Sequence, residues 1–196
     1  MRGERRIADR VQAAMASVPR RWFLPDSVQA YAAEDRPLPI GHGQTNSQPT
    51  TVARMLTQLD PQPGDTVLDV GCGSGWSTAL LAHLVGDPAA VHGVELVPEL
   101  VTFARQRLDA VGFADAEVTA ADPDRLGLPE HAPFAKVLVS AEAAELPQQL
   151  VDQVSTDGRM VLPVAGRLLV VDRPQGRTVV RQLGRYAFVP LRWSGS

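Results

Sequence analysis

Apolar residues recur at helical spacing near the start of the chain, where Ile7, Val11, Ala14 and Met15 are separated by charged positions. That period predicts an amphipathic helix over 4–17, ended by Val18-Pro19. Residues 19–49 show no sustained period and carry Pro37, Pro39, Gly41, Gly43 and Pro49. An irregular stretch of that length in a compact domain is functional or disordered. Trp22, Phe23, Leu24, Tyr31 and Ile40 argue for anchorage to a core. A second amphipathic helix is predicted over 50–59, with Val52, Met55, Leu56 and Leu59 on one face.

Beyond a turn at Pro61 to Asp65 the pattern changes to short apolar runs alternating with helical segments. Strands are predicted at Thr66–Val70, Ala90–Glu95, Ala116–Ala120, Ala135–Ser140 and Arg159–Leu162. Helices are predicted at Trp76–Val85, Pro98–Val111 and Leu146–Val154, the second opened by proline in its first turn. Leu168–Val171 and Val179–Leu183 form an expected antiparallel pair around Pro174-Gln175-Gly176. Such alternation implies an α/β fold, a doubly wound and mostly parallel sheet with an antiparallel C-terminal edge. We read residues 1–196 as one domain, with 1–60 an N-terminal extension laid over the ligand end of a sheet built from 61–196.

The first strand of that sheet runs into Leu68-Asp69-Val70-Gly71-Cys72-Gly73-Ser74-Gly75, and Glu95 closes the second strand. Ligands of open α/β sheets bind beyond the carboxyl ends of the strands, glycines let backbone approach them, and an acid on the second strand can accept ribose hydroxyl protons. A dinucleotide site wants G-x-G-x-x-G. Here position 76 is Trp and the spacing is G-x-G-x-G, the form seen with S-adenosylmethionine, which makes this a Rossmann-like class I methyltransferase pattern. Asp69, Gly71, Cys72, Gly73, Glu95, Leu96 and Asp122 are the candidate cofactor residues. Asp122, before Pro123, reads almost as well as a turn former. Cys72 is expected to fill the loop rather than act as a nucleophile, and Trp76 to pack in the core rather than face a sulfonium.

Composition narrows the partners. A net charge of −3 gives no electrostatic case for nucleic acid. No apolar run approaches the length of a membrane span, and the single cysteine cannot form an internal disulfide. A cytoplasmic monomer with neither membrane nor nucleic-acid partner is the expectation. No cluster has metal-ligand spacing, and His42, His83, His92 and His131 are scattered.

The segment Pro37-Leu38-Pro39-Ile40-Gly41-His42-Gly43-Gln44-Thr45-Asn46-Ser47-Gln48-Pro49, with the glycine loop after it, resembles the protein-L-isoaspartate O-methyltransferases. Val18-Pro19-Arg20 with Phe23, Tyr31 to Asp35, and Phe188-Val189-Pro190-Leu191 extend the resemblance across about residues 10–191. It implies transfer of a methyl group from S-adenosylmethionine to the free carboxylate of isoaspartyl residues in damaged proteins or peptides. By matching position it makes Ser47 the catalytic serine that touches the substrate carboxylate. Thr45, Asn46, Gln48, Val189 and Pro190 become its substrate-binding neighbours. Three departures concern the acceptor end: Asn46 in place of an aliphatic residue, Pro123 after Asp122 in place of glycine, and Ser140-Ala141-Glu142-Ala143-Ala144-Glu145 after the fourth strand. Two alternatives therefore stay open, a different carboxylate such as a peptide aspartate, and a nucleoside-binding homologue without turnover. Asn46 itself is expected either to bond locally or to read a polar feature of the acceptor.

Overall fold

The computed structural model describes residues 2–194 and builds them around a seven-stranded sheet. The elements in chain order are α1 (Arg2–Ser17), β1 (Leu38–Gly41), β2 (Gln44–Asn46), α2 (Pro49–Leu59), β3 (Val67–Val70), α3 (Trp76–Val85), β4 (Val91–Glu95), α4 (Pro98–Ala110), β5 (Glu117–Ala120), β6 (Phe134–Val139), α5 (Gln148–Val151), β7 (Val154–Val164), β8 (Arg167–Asp172) and β9 (Val179–Arg185). Strand order is β5-β4-β3-β6-β7-β8-β9. The first five are parallel, and β8 and β9 are added antiparallel, as expected of a Rossmann-like sheet with an antiparallel edge. Among the described residues no helix is long and apolar enough to cross a membrane.

Alternation along the strands separates two apolar layers. Val67 and Val161 join the side chains of α1 to α4, from Ile7 and Val11 through Val52, Leu56 and Leu80 to Leu108. Leu68, Val70 and Leu162 face the other way, onto Phe134, Leu150 and Val151. This second layer is thin: among the described residues it is covered by the four-residue α5, the segment at Leu126 and Leu128, loop residues such as Ala143 and Leu146, and the C-terminal Leu191 and Trp193.

Two local expectations are corrected. The helix expected over Leu146–Val154 shrinks to Gln148–Val151, because Val154 is taken into β7 opposite Phe134. β7 is accordingly far longer than the Arg159–Leu162 core read from sequence. Residues 38–46 are not irregular: they form an antiparallel hairpin, with Leu38 and Ile40 buried and Pro39 exposed between them. Gly41, His42 and Gly43 all have positive φ in its turn. The hairpin has its own small core of Leu24, Leu38, Ile40 and Leu100, so it is anchored over the start of α4.

Candidate functional site

The hairpin closes a cleft at the carboxyl end of the sheet. One wall is Gln44, Thr45, Asn46 and Ser47; the opposite one is Gly71, Cys72 and Gly73 with Glu95 and Leu96. Ser140 and Ala141 form the floor, and Val189, Pro190 and Arg192 the third side. The C-terminal strip is held there by backbone bonds, Glu142 N–H donating to Val189 O at 2.7 Å and Leu191 N–H to Glu142 O at 2.7 Å. The altered loop at 140–145 therefore serves as the strip's docking edge.

The glycine loop is shaped on two counts. Gly71, Gly73 and Gly75 all have positive φ. A Cβ on Gly75 would also lie 3.1 Å from Ala104 Cβ and 3.4 Å from Ala104 Cα, so α4 would have to give way to admit a side chain. Glu95 fixes the loop from β4. Its Oε2 accepts from Gly73 N–H at 2.9 Å, and its Oε1 accepts from Val97 N–H at 3.0 Å. A carboxylate has capacity beyond these two bonds, so a ribose hydroxyl can still be received.

Asp69 plays a different part from the one its motif suggests. It is wholly buried and lies behind the cleft, where Oδ2 accepts from the Ser77 hydroxyl at 2.7 Å and the Thr78 hydroxyl at 2.8 Å. It thereby ties β3 to the first turn of α3. Burial pushes its carboxyl up to about 6, against the two hydroxyl bonds that favour ionisation, and the nearby Glu95 charge adds to the rise. Oδ1 has no partner, a costly arrangement for a buried carboxylate. Cys72 is buried as well, and its thiol is pushed up by burial and then by Asp69 and Glu95. A thiol held protonated fills space and does not attack.

Two sequence candidates lie away from the cleft. Asp122 is exposed, with Oδ1 accepting from Asp124 N–H at 2.8 Å and Oδ2 from Arg125 Nε at 3.3 Å, the turn-forming geometry. Gln48 turns outward, its Nε2 donating to Thr50 Oγ1 at 3.0 Å, beside Asp35, which accepts from Thr50 N–H. Ser47 and Thr45 do face the cleft. The Ser47 hydroxyl has no hydrogen-bond partner among the described residues and is available to an incoming group. Asn46 is buried between its neighbours, with both ends of its amide engaged by protein.

Two residues were missed by sequence reasoning. Arg192 is, among the described residues, the one cationic side chain on the cleft wall, and it follows directly on the strip already read as substrate-lining. Arg20 lies beneath the hairpin, only 5% exposed. Its five donors all find acceptors, Asn46 Oδ1 and the carbonyls of Ala32, Glu34, Arg36 and Asn46. Burial lowers its guanidinium to about 10, which leaves it charged at neutral pH. Its guanidinium lies 5.8 Å from the Trp76 ring, and Trp76 Nε1 donates to Val18 O at 3.0 Å. Trp76 is thus a core residue whose cation is Arg20.

The residues present suit an adenosyl-sulfonium compound: a glycine-rich loop with positive φ, an acid at the end of the second parallel strand, and an open wall for an acceptor. Comparison with known proteins points the same way. The family described as Protein-L-isoaspartate(D-aspartate) O-methyltransferase matches residues 2–194. A protein-L-isoaspartate O-methyltransferase of Aeropyrum pernix is 47% identical over 188 residues, 93% of this chain and 72% of that protein. One of Methanococcoides burtonii is 42% identical over 186 residues, 93% of this chain and 91% of that protein. A crystal structure from Plasmodium falciparum, named for the same enzyme and in complex with S-adenosyl-L-homocysteine, superposes with a TM-score of 0.82 at 25% identity, over 94% of this chain and 90% of that one.

Proposed function

The chain belongs to the protein-L-isoaspartate(D-aspartate) O-methyltransferase family, and from that premise we propose that it transfers the methyl group of S-adenosylmethionine to the free carboxylate of L-isoaspartyl residues in damaged proteins or peptides. The observation that carries the reading is the cleft itself, with a free serine hydroxyl on one wall facing a glycine loop and ribose-type acid on the other.

The cleft's charge balance suits a carboxylate acceptor. Such an acceptor has a pKa near ~4 and is ionised at neutral pH without help. Among the described residues that line the cleft there is no histidine, and the one acid, Glu95, is held by two backbone N–H groups. An acceptor that is already ionised suits that lining better than one that needs a base. Bound S-adenosylmethionine supplies an electrophilic methyl on sulfur. Gly71, Cys72, Gly73, Glu95 and Leu96 would hold it, while Asp69 holds the loop from behind. Ser47 would donate one neutral hydrogen bond to the carboxylate, enough to orient it without quenching its nucleophilicity. Thr45, Val189 and Pro190 would confine the backbone of the acceptor peptide, and Arg192 would draw its negative charge into the cleft. Alignment of this kind is worth ~7–11 kcal/mol in well-oriented reactions.

The partner is a protein or peptide; we propose a monomer, with no role for nucleic acid or membrane. The test uses labelled S-adenosylmethionine and paired peptides that differ only in aspartate versus isoaspartate. Methyl ester formed selectively on the isoaspartyl peptide supports the reading. Label on the normal aspartyl peptide instead, or on neither, overturns it. Asn46 and the altered 140–145 loop were the sequence features that favoured a different acceptor; the Asn46 amide is committed to the protein interior.

A further inference from the structure

We propose that Asn46 is a positioning residue that couples the acceptor wall to the cofactor loop, so that order imposed on one is transmitted to the other. The inference rests on the reading of Ser47 as the acceptor-facing serine.

Asn46 is 6% exposed and stands between two groups that belong to different parts of the chain. On one side, Arg20 Nε donates to Asn46 Oδ1 at 2.8 Å and Arg20 Nη2 to Asn46 O at 2.9 Å. That carbonyl belongs to the planar peptide unit that also carries the Ser47 N–H, so a single cation fixes both the side chain and the plane leading into Ser47. On the other side, Asn46 Nδ2 donates to Ser74 Oγ at 3.1 Å. Ser74 is 1% exposed and lies next to Gly73, whose N–H is held by Glu95. A continuous path results: Ser47, Asn46, Ser74, Gly73, Glu95. Both of its ends face the cleft, and Asn46 and Ser74 between them are buried.

Asn46 is suited to this place because its amide offers an acceptor to the guanidinium and a donor to the hydroxyl. An aliphatic residue there would make neither side-chain bond and would leave the Arg20 Nε donor and the Ser74 hydroxyl to find other partners. In a low-dielectric setting such paired polar groups have few alternative arrangements, which is the condition for one site to bias another.

Hydrogen exchange by mass spectrometry, with and without saturating S-adenosylhomocysteine, tests this on the whole chain. Segments 38–48 and 71–77 are followed in the wild type, Ser74→Ala, Asn46→Ala and Asn46→Asp. In the wild type the nucleoside should slow exchange in both segments. In Ser74→Ala and Asn46→Ala it should still slow 71–77, with the effect at 38–48 cut at least in half. Asn46→Asp should restore it, because a carboxylate accepts from both Arg20 and the Ser74 hydroxyl. Thermal melts of each variant confirm folding, and Asn46→Asp keeps the test open should either alanine variant fail to fold. Full protection at 38–48 in Ser74→Ala, or no rescue by Asn46→Asp, overturns the coupling. Wild-type activity on the isoaspartyl peptide is measured in parallel. Coupling without methylation counts against the proposed acceptor and not against the relay; methylation without coupling does the reverse. No protection of either segment in the wild type overturns the relay together with the nucleoside site.

Discussion

Two glycine turns, one in the hairpin and one in the cofactor loop, are built to different tolerances. Gly43 in the hairpin and Gly75 in the cofactor loop have φ of +72° and +88°. Around Gly43 a Cβ would meet nothing within 4 Å, whereas at Gly75 it would press on the backbone of α4. The hairpin needs a conformation; the cofactor loop needs a conformation and an empty volume. The lesson is that a glycine's sign of φ alone does not measure how much depends on it.

The largest effect should come from the crowded side. Gly75→Ala combines a left-handed residue with overpacking against α4, and we expect it to lose about 2–4 kcal/mol of stability in denaturant titrations. A loss no greater than that of an equivalent change at Gly43 would erase the distinction. Behind the same loop, Asp69 should make stability pH-dependent. Its folded-state value, about 6, lies above the unfolded value near 3.8. The folded protein therefore holds the extra proton, so this contribution is fully present below pH ~4, is lost as pH rises to ~6, and is level above, on the order of 2–3 kcal/mol in all. Asp69→Asn should flatten that slope relative to the wild type in melts taken from pH 4 to pH 7; parallel curves would place the titration elsewhere. On the hairpin side, Ser47→Ala should lower kcat/KM for an isoaspartyl peptide roughly tenfold, the worth of one oriented hydrogen bond, with S-adenosylhomocysteine affinity unchanged. Equal loss of both would make Ser47 a structural residue. The smallest effect is Gly43→Asn, expected to cost less than about 1 kcal/mol because Asn tolerates left-handed backbone and space is free. Unfolding at ordinary temperature would show that the hairpin turn is as constrained as the loop opposite.

The same contrast explains what could be read from the chain. The parallel strands were legible because Val67 to Val70 and Val91 to Glu95 are short apolar runs beside a glycine loop, and local pattern carries that information. The hairpin was not. Pro39 and three consecutive left-handed residues hide the alternation of Leu38 and Ile40, the one signal that could have revealed it. α5 was read too long because Val151 and Val154 fit a helical period, while the pairing of Val154 with Phe134 is a long-range event. At the site, Ser47, Thr45, Glu95, Gly71 and Gly73 line the cleft. Motif matching placed Asp69, Asp122 and Gln48 among direct binders, but side-chain direction sets one behind the loop and two outside. Arg20 could not be assigned from sequence at all, since its partners are spread from Ala32 to Asn46 and meet only through the hairpin.

The strand order also has a consequence in time. β3 lies at the centre of the five parallel strands and is the first strand of the sheet along the chain; β4 and β5 extend it on one side, β6 to β9 on the other. A ribosome delivering this chain would supply the nucleus before the flanks, and each later strand would arrive at an edge already waiting for it. The hairpin is the exception: it emerges before Ser74 and α4, the parts of the chain that seat it.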